Sequence, residues 1–236
     1  MLGTLFDSQA QSRYTTLPEV ELAYAELSTR YNQFTSFLNE FLSLVLDNSI
    51  QQWVGVFLLH RHFDFGFDEL LIERPTILIS GTKALVTAPS KAKGVPFAPT
   101  RWAVDSGQLV PLEFSEDDEA ITISRNLAGY TEFTSEFAAL VSDHQFEQLI
   151  GLTITPRAFL PLQFSEQYVE RTYVEGSALT VEPAGALDKE LIPTSWSAVE
   201  ERHGTAPRMG CMSLCTVTGG RPDVPGVHRK TGHMPI

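Results

Sequence analysis

A chain of 236 residues with 43% hydrophobic, 10% aromatic and 19% charged residues can build one large or two small packed domains, which excludes a disordered polymer. No apolar run approaches the roughly 18 residues of a membrane-spanning helix, and the start, MLGTLFDSQAQSRY, has neither the basic lead nor the apolar stretch of a secretory signal, so a cytoplasmic protein without a membrane partner is expected. The net charge of −12 divides into −15 over residues 1–202 and +3 over residues 203–236; an acidic body repels phosphate backbones and argues against a nucleic-acid partner, and two cysteines cannot make a disulfide framework.

The first periodic stretch, Pro18–Leu46, predicts helix with a break near Arg30–Gln33. Its second part places Phe37, Phe41, Leu44 and Val45 on one stripe, and Asp47-Asn48 ends it. Trp53–Phe63 then reads as a strand apolar on both faces. Leu70–Ser80 and Ala84–Ala88, joined by Gly81-Thr82, predict a hairpin. Ser90–Pro99 is rich in loop-formers, a short strand surrounds Trp102, and Asp105-Ser-Gly107 is a turn signal. Glu113–Asp118 reads as an acidic connection, either a linker or a loop inside one fused domain.

The same grammar then returns. Phe133, Phe137, Leu140 and Val141 form a second stripe ended by Asp143-His144, followed by an apolar strand at Leu149–Leu160. Tyr168–Glu175 and Ala178–Val181 predict a hairpin across Gly176, and a short strand surrounds Trp196. Residues 37–63 and 133–159 align position by position, pairing Phe41 with Phe137, Asp47 with Asp143, Gly55 with Gly151 and Phe63 with Phe159. Glu73-Arg74 matches Glu170-Arg171, and Thr100-Arg-Trp102 matches Thr194-Ser-Trp196. The fold expected is α+β: two approximate repeats of a helix followed by antiparallel strands, related by a pseudo-twofold. Its parts are residues 1–118 (a helical lead and the first unit), 119–202 (the second unit) and 203–236, a Gly/Pro/Cys/His tail packed on the body or loose; whether the units share one sheet is open.

The first candidate site lies in GVFLLHRHFD, where strand alternation puts His60, His62 and Asp64 on one face. Two imidazoles and a carboxylate can bind a divalent metal such as iron, manganese or zinc, or move protons. Glu69 or Glu73, on the strand expected to return alongside, would add an oxygen. The plainer alternative packs both rings at the end of a core strand. The second repeat has Pro156, Ala158 and Leu160 at the matching positions, so the set is one-sided.

The second candidate is Cys211, Cys215, His228 and His233, with two-Cys, two-His spacing suited to tetrahedral zinc, the cofactor expected in the tail. Pro222 and Pro225 break the helix that a DNA-reading finger needs, which leaves a structural zinc knot or a frayed terminus with ordinary thiols. A combined site, with His60 or His62 joining the cysteines, is equally compatible with the sequence. Nucleophile-elbow, phosphate-loop and dinucleotide fingerprints do not occur.

The H-x-H pair invites comparison with cupins, but Gly55 stands one residue too close to His60, no glycine follows Glu69 at the family's spacing, and helices precede the strands. At Leu58-Leu-His-Arg-His62, Thr194–Trp196 and Cys211–His233 the chain resembles a group of uncharacterised fungal proteins, a resemblance that covers most of the chain after residue 30. It implies no activity, only a context that is often poorly annotated or of secondary-metabolite type. Two functions stay open, and the sequence does not decide whether the chain is an enzyme. One is a noncatalytic binding or interaction module. The other is a small-molecule enzyme or accessory protein, metal-dependent, working at the His60/His62 face.

Overall fold

The computed structural model describes residues 10–62, 64, 66, 69–78, 80–81, 83–91, 94–155, 167–173, 178–183, 191–199 and 207–216. A short helix, α1 (residues 10–15), leads into α2 (Val20–Thr29) and α3 (Tyr31–Asp47). The break between α2 and α3 falls at Arg30, φ −114°, whose guanidinium donates to the carbonyls of His144 and Gln145 at 2.6 and 2.8 Å and lies over the Phe146 ring. The interruption therefore serves to tie the first helical segment to the end of a later helix.

The first strands are β1 (Val54–Leu58), β2 (Leu70–Ile77), β3 (Lys83–Ser90), β4 (Ala98–Asp105) and β5 (Gln108–Ser115). Two left-handed residues, Ser106 (φ 51°) and Gly107 (φ 75°), join β4 to β5, the conformation that a tight two-residue hairpin demands. Helix α4 (Asp118–Leu127) starts at Asp117, whose carboxylate accepts from Ala120 N at 2.9 Å, and α5 (Thr131–Asp143) follows. The remaining strands are β6 (Ile150–Ile154), β7 (Tyr168–Tyr173), β8 (Ala178–Pro183), β9 (Leu191–Val199) and β10 (Arg208–Thr216).

All ten strands join in one closed barrel, in the order β1-β6-β4-β5-β2-β3-β8-β7-β10-β9 and back to β1. The architecture is thus mixed α+β. Eight of its ten pairings are antiparallel, while β2–β5 and β7–β10 are parallel. The antiparallel strands expected are joined by two parallel pairs that the sequence did not indicate. Each tryptophan strand forms a hairpin with its successor, and that hairpin lies beside an earlier strand running the same way.

The helices cover the outer face of the barrel. Phe34, Phe37, Phe41, Phe133, Phe137 and Phe146 pack against Val54, Val56 and Leu58 of β1, Ile150, Leu152 and Ile154 of β6, and both Trp102 and Trp196. Burial of each such side chain stabilises by roughly 1.5–3 kcal/mol. Chain crossings on the inner face are tight. A Cβ at Gly55 would collide with the Trp196 carbonyl, and one at Gly151 with the Trp102 carbonyl. Inside the ring lie two apolar layers, Phe57, Leu59, Leu71 and Ala103 among the first, Leu85, Tyr168, Val181 and Met212 in the second.

Three sequence expectations change. The apolar strand predicted to run to Phe63 stops at Leu58, because Arg61 N leaves the sheet to donate to the Pro18 carbonyl at 2.9 Å. The acidic connection Glu113–Asp118 begins inside β5: Glu113 is buried and faces Arg101, so its charge serves the lumen and not a linker. Residues 208–216, read with the tail, form β10 between β7 and β9. Residues 217–236 lie outside the described residues.

Candidate metal centre

Past Leu58 the chain is held at three points. Leu59 N donates to Leu149 O at 2.8 Å, Arg61 N to Pro18 O, and His62 N to the Tyr14 hydroxyl at 3.0 Å. These anchors bring the two imidazoles together with ring centroids 4.5 Å apart, both almost wholly buried. The Leu58 carbonyl lies 2.7 Å from His60 Nδ1 and can only accept, so Nδ1 carries the proton. That leaves Nε2 as a lone pair. It has no hydrogen-bond partner among the described residues and faces Glu170 Oε2 at 4.0 Å. A buried lone pair opposite a carboxylate is unfavourable unless a cation stands between them. Protonation would be one answer, but burial pushes both imidazoles down, His62 to about 3, against the pull of Glu170.

Glu170 sits on β7 and is fixed from two sides. Its Oε1 accepts from Arg101 at 2.5 Å, and Oε2 accepts from the Thr194 hydroxyl at 3.1 Å while lying 4.0 Å from His62 Nε2. β4 and β7 are on opposite sides of the ring, so the Arg101–Glu170 contact crosses the lumen. Burial alone would raise the Glu170 carboxyl; Arg101, with the two histidines, holds it instead at about 2. Arg101 itself is held charged against burial by Glu113 and Glu170. Cys215 stands in register with Glu170 on the parallel pair β10–β7, its Sγ 4.0 Å from His62 Nδ1. Burial and Glu170 push that thiol up, so a thiolate there needs a cation.

One donor atom each from His60, His62, Glu170 and Cys215 lies within 4.8 Å of the others, a group that could hold a metal ion. Donors around tetrahedral zinc stand roughly 3.3–3.7 Å apart, given metal–ligand bonds of about 2.0–2.3 Å. With one donor atom from each residue the separations here run up to 4.8 Å, so the group would have to contract by about 1 Å at its widest to close on an ion. Two imidazoles, a carboxylate and a thiolate form a borderline-soft set that suits zinc. The Leu58 carbonyl accepts from His60 Nδ1, the kind of outer hydrogen bond that would orient this imidazole as a ligand.

The sequence candidates do not all fall together. His60 and His62 share one site. Asp64, largely exposed, pairs with Arg61 at 2.9 Å, and Glu69 accepts from Gly66 N at 2.6 Å. Glu73 is on β2, which pairs with β3 and β5 and not with β1, so it does not return beside the histidines. It faces Arg101 and Glu113 in the lumen, where burial raises it to about 7. A void of about 20 Å³ at Glu73, Arg101, Thr153 and Ser213 is the size of one water. Of the tail set, Cys215 lies with the histidines, one of the two cysteines that the combined arrangement called for. Cys211 does not: the ladder shifts register between Cys211 and Ser213, and the Cys211 thiol donates to the Ser213 carbonyl at 3.5 Å. Burial raises that thiol to about 12. His228 and His233 lie outside the described residues.

Sequence reasoning missed Glu170 and Arg101. The signal for Glu170 was the repeat alignment, in which it is the counterpart of Glu73. No described helix is long and apolar enough to cross a membrane. Comparison of the chain with protein-family models, with curated protein sequences and with solved structures gives no match.

Proposed function

We propose that the chain is a metal-binding barrel, holding one zinc-class divalent ion through His60, His62, Glu170 and Cys215. The observation that carries this reading is the His60 Nε2 lone pair, buried, without a hydrogen-bond partner among the described residues and aimed at Glu170. Net charge supports it as well. Among the described residues Glu113 and Glu170 both pair with Arg101 in the lumen, and two carboxylates on one guanidinium leave negative charge that a divalent cation offsets. Four protein donors saturate a tetrahedral ion, the arrangement of structural sites, whereas catalytic ones keep a position open. The ion then ties the end of β1 to β7 and β10, and the protein is a binding or interaction module built on that stapled barrel.

Duplication of a unit made of two helices and five strands accounts for the scaffold. Exchanging β1–β5 for β6–β10 leaves the barrel order and both parallel pairs unchanged. The two units form each other's walls: β1 pairs with β6, and β3 with β8. A second reading, metal-dependent chemistry on a small molecule, draws on Glu73, which is raised to about 7 and lies beside Arg101 as a group suited to proton transfer.

Elemental analysis of full-length protein purified without a histidine tag tests the proposal. About one zinc per chain is expected, together with a rise in Tm when zinc is added to chelator-treated protein. Less than a tenth of an equivalent of any transition metal, with no thermal shift on adding zinc, would remove it.

A further inference from the structure

Outside the barrel, a cavity of about 540 Å³ opens between the β4–β5 hairpin and the faces of α4 and α5. Its apolar lining includes Phe97, Trp102, Leu109 and Leu127, and Arg125 is its one charged lining residue. The volume falls in the ~300–1,000 Å³ range of pockets that enclose a small organic molecule.

The two strand tryptophans differ in what covers them. Trp196 on β9 meets the Phe34 ring edge-on at 4.8 Å. Tyr130, which precedes α5, turns its ring instead to Trp53 at 6.2 Å. Among the described residues no aromatic ring stacks on Trp102, which lines the cavity with 7% of its surface exposed. An aromatic guest there would gain roughly 0.5–1.5 kcal/mol from ring–ring geometry beyond its area burial.

Charge selects among aromatic guests. Arg125 is exposed on α4 and makes no ion pair with any described carboxylate. In a chain of net charge −12, an unpaired guanidinium at the edge of an apolar cavity is a local attractor for anions. We propose that this cavity is a binding site for a small aromatic monoanion, its ring system against Trp102 and Leu127 and its carboxylate or sulfonate at Arg125. The site is separate from the His60/His62 group and does not depend on metal.

The probe is 1-anilinonaphthalene-8-sulfonate, titrated by fluorescence and calorimetry into folded full-length protein, with and without chelator. One equivalent should bind in both conditions and be displaced by 1-naphthoate. Arg125→Glu, at an exposed position, should weaken binding at least tenfold with an unchanged Tm, and Ser135→Trp, which fills the cavity from α5, should abolish it. Should Ser135→Trp fail to fold, Arg125→Glu decides alone. Failure of the wild-type protein to bind, indifference to Arg125→Glu, or displacement by palmitate but not by 1-naphthoate would each overturn the assignment. Metal analysis is unaffected by any of these outcomes, so this site and the metal centre stand or fall separately.

Discussion

Cys215 and Glu170 face each other in register across the parallel pair β10–β7, and both present a donor atom to the histidines that follow β1. The proposed ligand set draws on three segments of the chain, β7, β10 and the stretch that follows β1, so each member is separately testable.

Cys215→Ser should weaken zinc binding by at least tenfold, read by competition with a chromophoric chelator, because a hydroxyl is a poor substitute for thiolate. Cys211→Ser should leave affinity unchanged, since that thiol is outside the ligand group and bonds a backbone carbonyl. Equal loss in both variants would point to the cysteine pair proposed from spacing and against the mixed set.

Glu170→Gln should cost about 3–5 kcal/mol in urea unfolding, the usual effect of removing one partner from a buried ion pair. Among the described residues Arg101 would keep only Glu113, at 3.4 Å, as a charged hydrogen-bond partner. A loss below about 1 kcal/mol, in protein stripped of metal, would mean that solvent reaches the lumen.

The pH dependence of stability follows from Glu73. Burial raises its folded pKa to about 7 from 4.5. A raised folded pKa makes the protonated form the better fit, so this contribution is full below about 4.5 and disappears as pH rises through 7. Glu73→Gln should remove that decline, of the order of 1–3 kcal/mol after allowance for screening, and flatten the stability curve between pH 4.5 and 7.5. Parallel curves for the variant and the wild type would show that Glu73 is solvated.

Gly55→Ala and Gly151→Ala should each destabilise by about 1–3 kcal/mol or more, since the added methyl meets a backbone carbonyl that cannot swing away. Thermal unfolding of the two variants tests this. A loss at only one glycine would mean that the two crossings are not equally tight.

Much of the scaffold was legible because it is local. The stripes of Phe37, Phe41 and Val45 and of Phe133, Phe137 and Val141 form α3 and α5, and the β2–β3 and β7–β8 hairpins fall where the turn residues put them. The His60/His62 pair was legible from H-x-H alone. Its acid was not, because choosing between Glu73 and Glu170 requires knowing that β1 pairs with β6 and β9 and not with β2. Arg101 was hidden for a related reason: Glu113 is its neighbour across the β4–β5 hairpin, but Glu170 meets it from the opposite side of the ring, a relation that no sequence spacing encodes. The β10 strand was obscured by the Gly and Pro on either side of it; within Arg208–Thr216 there is one glycine, Gly210, and no proline.

The position of β1 has a kinetic consequence. Both of its hydrogen-bonding edges wait for strands made much later, β6 on one side and β9 on the other. A nascent chain that has reached β5 therefore carries its most apolar strand with nothing paired to it. Closure depends on contacts distant in sequence, which predicts slow folding for the chain's size. During that interval the natural complement of β1 is also present on any neighbouring chain further along in synthesis. Exchange of whole units between two copies is then the expected misassembly at high expression, and dilution during refolding the expected remedy.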